Sequence, residues 1–183
     1  MNRLMGVSGM QYLQAKFWQD DADLGRLRMP GDIGSDGGVV ILAQIARMAE
    51  RAEQPLTVNI NCSSGDARCW RIAAALEAYP LTVTTVVERA AISAGLIIAV
   101  AGSKRIARPG AQFGFHGNMN RYDAESPNDE GRARYFADRT TAGYEFWCQK
   151  ALSDEVYTFD AEEALALGVV HEISDTQTLT LTG

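Results

Sequence analysis

One hydroxyl opens the apolar stretch Ala90-Ala91-Ile92-Ser93-Ala94-Gly95, which runs on to Gly102. A serine attacks a carbonyl only when a base takes its proton and donors stabilise the oxyanion. Ser93 follows a β-rich segment and starts an apolar helical one. It therefore sits among unpaired backbone N–H groups at the positive end of a helix dipole. Ala91-Ile92-Ser93-Ala94-Gly95 is an A-x-S-x-G variant of the nucleophile elbow, in which small residues let the chain turn sharply. Serine at a helix start is also the common N-cap, so this stretch alone leaves both roles open. The chain has two histidines to serve as base. His116 ends "AQFGFHGN", at a strand end where a side chain projects into a cleft, although a structural role is the alternative. His171, in "VVHEI", reads as a surface or edge residue. For the oxyanion donors, "NINCSSGDA" is a strand running into a Ser/Gly turn and a helix. Gly65 lets backbone come close to a substrate there. Neither G-x-G-x-x-G nor G-K-[ST] is present, which excludes the usual phosphate cradles.

These residues need a scaffold, and 183 residues suffice for one domain with a real core. Apolar content of 46% and charged content of 22% are ordinary for a globular protein. A net charge of −6 and a sequence pI of about 4.9 argue against nucleic acid as a partner. The longest apolar run, 94–101, is too short to span a bilayer. No basic segment followed by an apolar run opens the chain, so no signal peptide is expected and a cytoplasmic location follows as the default. Cys62, Cys69 and Cys148 read as free buried thiols. With no CxxC or HExxH and only two histidines, no metal site is expected.

Strands and helices alternate along the chain. Strands are expected within residues 24–31 and over 56–60, 81–87, 104–108, 112–115 and 169–173. Helices are expected over 38–54, with Val40, Ile41, Ile45 and Met48 on one side; over 66–79, with Asp66 as N-cap; and over 93–102, 128–152 and 160–168. Residues 1–20 have no clear period, and 174–183 read as a terminal strand or frayed tail. The pattern implies a layered α/β fold with crossovers. We divide the chain into an N-terminal segment, 1–29, and a single domain, 30–183.

Four motifs in order resemble the caseinolytic (Clp) protease proteolytic subunit family, within the crotonase-like fold. Ile60-Asn61-Cys62-Ser63-Ser64-Gly65-Asp66 stands where the family has I-N-S-P-G-G. Ser93-Ala94-Gly95 through Ala101-Gly102 matches A-S-M-G and its apolar helix. Arg105-Ile106-Ala107-Arg108-Pro109-Gly110-Ala111, with His116, matches R-x-x-x-P-N-A-x-x-x-x-H. Asp160-Ala161-Glu162-Glu163-Ala164 through Gly168-Val169-Val170-His171 matches S-A-E-E-A-x-x-x-G-L-[IV]-D. Together they cover about Pro30 to Ile173.

The resemblance implies an α/β spiral of ββα units and a serine-type endopeptidase, assembled as a ring or stacked rings, that cleaves peptides or unfolded protein. Ser93 would be the nucleophile, His116 the general base, and the backbone N–H groups of Gly65 and Ala94 the oxyanion hole. No cofactor is implied. Unfolding power would come from a partner AAA+ ATPase, since the chain carries no ATPase motif. The family's acid position falls on Val156. The spacing of shorter, phage-type relatives favours Asp154; Glu155, Asp160 or no acid at all are the alternatives. Residues 117–129 occupy the inter-ring handle but are polar where the family is commonly Gly-rich, so a single ring is the firmer expectation than stacking. A catalytically silent ring subunit and a crotonase-type acyl-CoA enzyme are the competing readings.

Overall fold

A computed structural model describes residues 24–29, 31–51, 53–118 and 126–175. The expectations for residues 1–20 and 176–183 lie outside these. Three consecutive segments repeat one theme. β1 (Arg26–Met29) and β2 (Asp32–Ile33) lead to α1 (Ser35–Arg51). β3 (Leu56–Cys62) and β4 (Ser64–Gly65) lead to α2 (Arg68–Glu77). The long β5 (Val83–Ile92) leads to α3 (Ala94–Val100). β1, β3 and β5 stack in parallel in the main sheet, whereas β2 pairs in parallel with β4 in a small second sheet. The expected ββα spiral is therefore present. It continues through β6 (Lys104–Ala107), β7 (Gln112–Phe115), α4 (Asp129–Ala137), α5 (Tyr144–Ala151), β8 (Tyr157–Phe159), α6 (Ala161–Ala166) and β9 (Glu172–Ile173).

Alternation builds the sheet. Leu56, Val58, Ile60 and Cys62 of β3 all point into the core, with Thr57, Asn59 and Asn61 between them less buried. β5 is longer than the 81–87 expected. Its first half pairs with β6, from Thr84↔Lys104 to Val87↔Ala107, and its last residues pair with β7, from Ala90↔Gln112 to Ile92↔Gly114. The small residues Ala90 and Ala91, read only as an approach to the elbow, are thus strand residues. The pairing with β7 carries the strand up to Ser93.

Three other expectations change. α1 starts at Ser35, and Val40 is exposed while Ile41, Ile45 and Met48 are buried. The helix expected over 128–152 is two helices, separated at 138–143. Trp147 packs against both Phe115 and Phe136, which needs α5 folded back on α4, and its Nε1–H donates to Thr140 Oγ1 at 2.8 Å in the connecting turn. β8 went unforeseen; it pairs antiparallel with β7, Phe115 opposite Tyr157. The N-cap of α2 is Ala67, not the expected Asp66, and it makes no side-chain cap bond; Asp66, one residue earlier, still has its Oδ1 accepting the Arg68 N–H at 2.9 Å. Every residue of α3 is buried, as expected of a helix apolar on all sides. Burying each large side chain of this core contributes about 1.5–3 kcal/mol.

Candidate active site

Ser93 is the hinge between β5 and α3. Its backbone adopts φ 56°, ψ −115°, the only positive φ among the described non-glycine residues. That geometry is costly for a residue with a Cβ and persists only where the surroundings enforce it. Two contacts do so here. The Ser93 N–H donates to the Gly114 carbonyl of β7 at 2.9 Å, and the Ser93 carbonyl accepts from Leu96 and Ile97 at 3.1 and 3.2 Å. The hydroxyl makes no capping bond to the helix. The N-cap reading therefore loses its hydrogen bond. What remains is a strained elbow that presents Oγ.

Ser93 and His116 line one narrow cleft, together with Gly114, Ile97, Phe115, Phe136 and Arg132. β7 places His116 one residue past its end. The His116 Nδ1 lies 2.6 Å from the Gly117 carbonyl. A carbonyl can only accept, so this contact fixes the ring proton on Nδ1 and leaves the lone pair on Nε2. A neutral imidazole in that tautomer can serve as a base.

The two expected oxyanion donors are neighbours. A Cβ on Gly65 would stand 2.7 Å from Ala94 Cβ and 3.2 Å from Ile33 Cβ, so only glycine lets β4 come this close to the elbow. Ala94 is the first residue of α3, where a backbone N–H has no acceptor within the helix. Gly95 packs against the Cys62 carbonyl with no room for a side chain, which pins α3 onto β3. Cys62, beside these donors, is no rival nucleophile: burial raises its thiol pKa, and Sγ–H donates to the Ser64 carbonyl at 3.2 Å.

Asp154 lies in the exposed turn between α5 and β8. The antiparallel pairing of β7 with β8 directs that turn toward the end of β7, where His116 follows Phe115. Gly117 in turn abuts the Ala151 carbonyl at the end of α5. Among the described residues, however, no carboxylate hydrogen-bonds the His116 ring. Glu155 and Asp160 are exposed as well, and Asp160 instead caps α6, accepting the Glu163 N–H at 2.9 Å. The carboxylate that does touch this loop is Asp129, whose Oδ1 accepts the Asn118 N–H. Sequence reasoning missed Asp129, Arg132 and the Gly117 carbonyl. Backbone groups leave no mark in a motif, and the two side chains reach the site only because α4 folds over it. Among the described residues no group of three or more His, Cys, Asp or Glu could hold a metal, and no helix is long and apolar enough to cross a membrane.

The spiral of ββα units with this elbow is the fold of the Clp proteolytic subunits. ClpP1 from Listeria monocytogenes matches with a TM-score of 0.76 at 22% identity, over 90% of this chain and 97% of that one. A single-residue mutant of ClpP1 from the same organism matches with the same TM-score at 21% identity, over 88% and 97%. No protein-family model matches the sequence, and no curated protein does.

Proposed function

We propose that the chain is a serine-type endopeptidase subunit. The observation that carries this reading is the elbow at Ser93, strained to φ 56°, with a hydroxyl that caps nothing and a cleft shared with His116. Ser93 Oγ attacks the peptide carbonyl carbon while His116 Nε2 takes its proton. The carbonyl π pair moves to oxygen, held by the N–H groups of Gly65 and Ala94. Collapse of this intermediate breaks the C–N bond, and the amine leaves with the proton from His116. Water then attacks the Ser93 ester, giving its proton to His116. Release of the acid returns that proton to Ser93. Asp154 orients the imidazolium, reaching it by movement of the exposed turn. The subunit works as a homo-oligomeric ring on peptides or unfolded protein, in the cytoplasm, with an AAA+ unfoldase supplying any unfolding. A mass several times 19.9 kDa by light scattering supports the ring; a strict monomer contradicts it.

The test is labelling by a fluorophosphonate, with the adduct mapped by mass spectrometry. Modification of Ser93, with loss of peptide hydrolysis in Ser93→Ala, supports the reading. A folded protein that neither labels nor hydrolyses overturns it. That outcome favours the silent subunit, which the Gly117 carbonyl in place of a carboxylate at His116 already motivates. The acyl-CoA reading has less support, since no carboxylate lines the cleft among the described residues.

A further inference from the structure

A second cavity, of about 620 Å³, shares no residue with the Ser93 cleft, and Glu77, Arg105, Asp138, Arg139 and His171 are on its lining. Arg105 of β6 is only 7% exposed. A buried guanidinium is costly unless an anion pairs with it. Its hydrogen-bond partners here are neutral. Nε donates to His171 Nε2 at 3.0 Å, Nη2 lies 2.6 Å from the same nitrogen, and Nη1 donates to the Val100 carbonyl at 3.5 Å. The Glu77 carboxylate is committed elsewhere: its Oε1 accepts from Arg139 Nη2 at 2.7 Å and from the Tyr135 hydroxyl at 2.9 Å. Burial, and then the Arg139 charge, lower the Arg105 pKa, so the surroundings disfavour the cation they enclose.

The ring that fills the site matches it poorly. The Arg105 backbone N–H points at His171 Nδ1 from 3.3 Å, while the guanidinium points at Nε2. Donors therefore face both ring nitrogens. A neutral imidazole has one lone pair, so one of the two donors meets an N–H. A carboxylate carries acceptors on both oxygens and brings the negative charge that the guanidinium lacks. His171 is exposed, so its ring can rotate into the open cavity without disturbing the core.

We propose that Arg105, through its guanidinium and its backbone N–H, anchors a small monocarboxylate in this cavity, the ligand displacing the His171 ring. Asp138 on the same lining disfavours a second negative charge, and Val100 and Ala101 beside it suit a short aliphatic tail. The inference goes beyond the peptidase reading and does not depend on it.

The experiment uses the full chain in its assembled state and acetate as the probe. It follows the broadening of the acetate methyl signal in proton NMR as protein is added, with ionic strength held constant by sodium chloride. Wild type should broaden the signal saturably. His171→Ala removes the ring that must be displaced and should tighten binding about threefold or more. His171→Asp brings its own carboxylate to Arg105 and should weaken binding about tenfold or more. Arg105→Gln should abolish it, and the two His171 variants keep the test decisive if Arg105→Gln fails to fold. Phosphate should bind more weakly than acetate. Absence of saturable broadening by the wild type, equal binding by wild type and His171→Asp, or phosphate binding more tightly than acetate overturns the inference. The titration needs no turnover, so failure of Ser93 to react removes the peptidase reading alone, and failure of acetate to bind removes this inference alone.

Discussion

The two histidines stand in similar local settings and are held in opposite ways. Each has a polar atom 2.6 Å from one ring nitrogen. For His116 that atom is the Gly117 carbonyl, at Nδ1. For His171 it is Arg105 Nη2, at Nε2, with Arg105 Nε a further 3.0 Å donor to the same nitrogen. A carbonyl accepts, so the His116 ring donates there and keeps a lone pair at Nε2. A guanidinium only donates, so the Nε2 lone pair of His171 is consumed. Burial and then the Arg105 charge lower the His171 pKa. One partner leaves a base behind, and the other uses it up. The partner, more than the histidine or its strand-end position, decides which ring can do chemistry.

Breaking this contrast gives the largest effect. His116→Ala should reduce peptide turnover and fluorophosphonate labelling of Ser93 by about 10³-fold or more. His171→Ala should leave the labelling rate within about twofold. Equal losses in both variants would show that the rings act through the fold and not through their lone pairs.

The oxyanion side ranks next. Gly65→Ala puts a Cβ 2.7 Å from Ala94 Cβ, which forces β4 away from the elbow. Turnover should fall about 10²-fold, the usual cost of losing one donor, while the circular dichroism spectrum keeps its α/β shape. Wild-type kcat in this variant would remove Gly65 from the site.

The imidazole's orienting partner is the next point to sharpen. Asp154→Asn should lower kcat at least about tenfold, since a triad without its acid still retains part of its catalysis. Asp129→Asn loosens the Asn118 N–H and should act more weakly. If Asp129→Asn has the larger effect, the backbone after His116 sets the ring and Asp154 does not.

How far the sequence disclosed this arrangement depends on what each feature is made of. The alternation in Leu56–Cys62 and the apolar run after Ser93 reported their elements directly, because burial on one face or all faces is written in residue type. Ser93, His116, Gly65 and Ala94 came together only through the resemblance to the Clp family, since each residue alone left a structural role open; the fold brings Ser93 beside His116 and Gly65 beside Ala94. The break between α4 and α5 was hidden: residues 138–143 carry no proline, and what folds them is the distant packing of Trp147 on Phe115 and Phe136. The same fold-back brings Arg132 to the cleft wall, so its placement was equally unreadable. Asp154 illustrates a third case. Its spacing was legible, but its distance from the ring depends on how a short exposed turn is held.

The smallest expected effect belongs to the other side of the comparison, where His171 is tested through stability. Its unfolded pKa is about 6.5, and its folded pKa is lowered. The unfolded chain therefore takes up a proton that the folded chain excludes. Stability from this site is complete above about pH 6.5 and falls as pH drops through that value, until the folded pKa is passed. Glu77, Asp138 and Arg139 line the same pocket, and Lys104 and Glu172 pair at 3.7 Å on the strands beside it. These flanking charges and the exposure of His171 screen the effect, so a shift of a few degrees in Tm is expected between pH 7 and pH 5. His171→Asp should remove it. Aspartate is the residue of the matching motif at this position; beside Arg105 its own folded pKa is lowered, so its contribution is lost only below about pH 4. Because His116 is common to both proteins, the difference between their Tm–pH curves isolates His171. Parallel curves from pH 7 to pH 5 would mean that the ring swings away from Arg105 in solution. The donor–acceptor distinction between the two histidines would then hold for His116 alone.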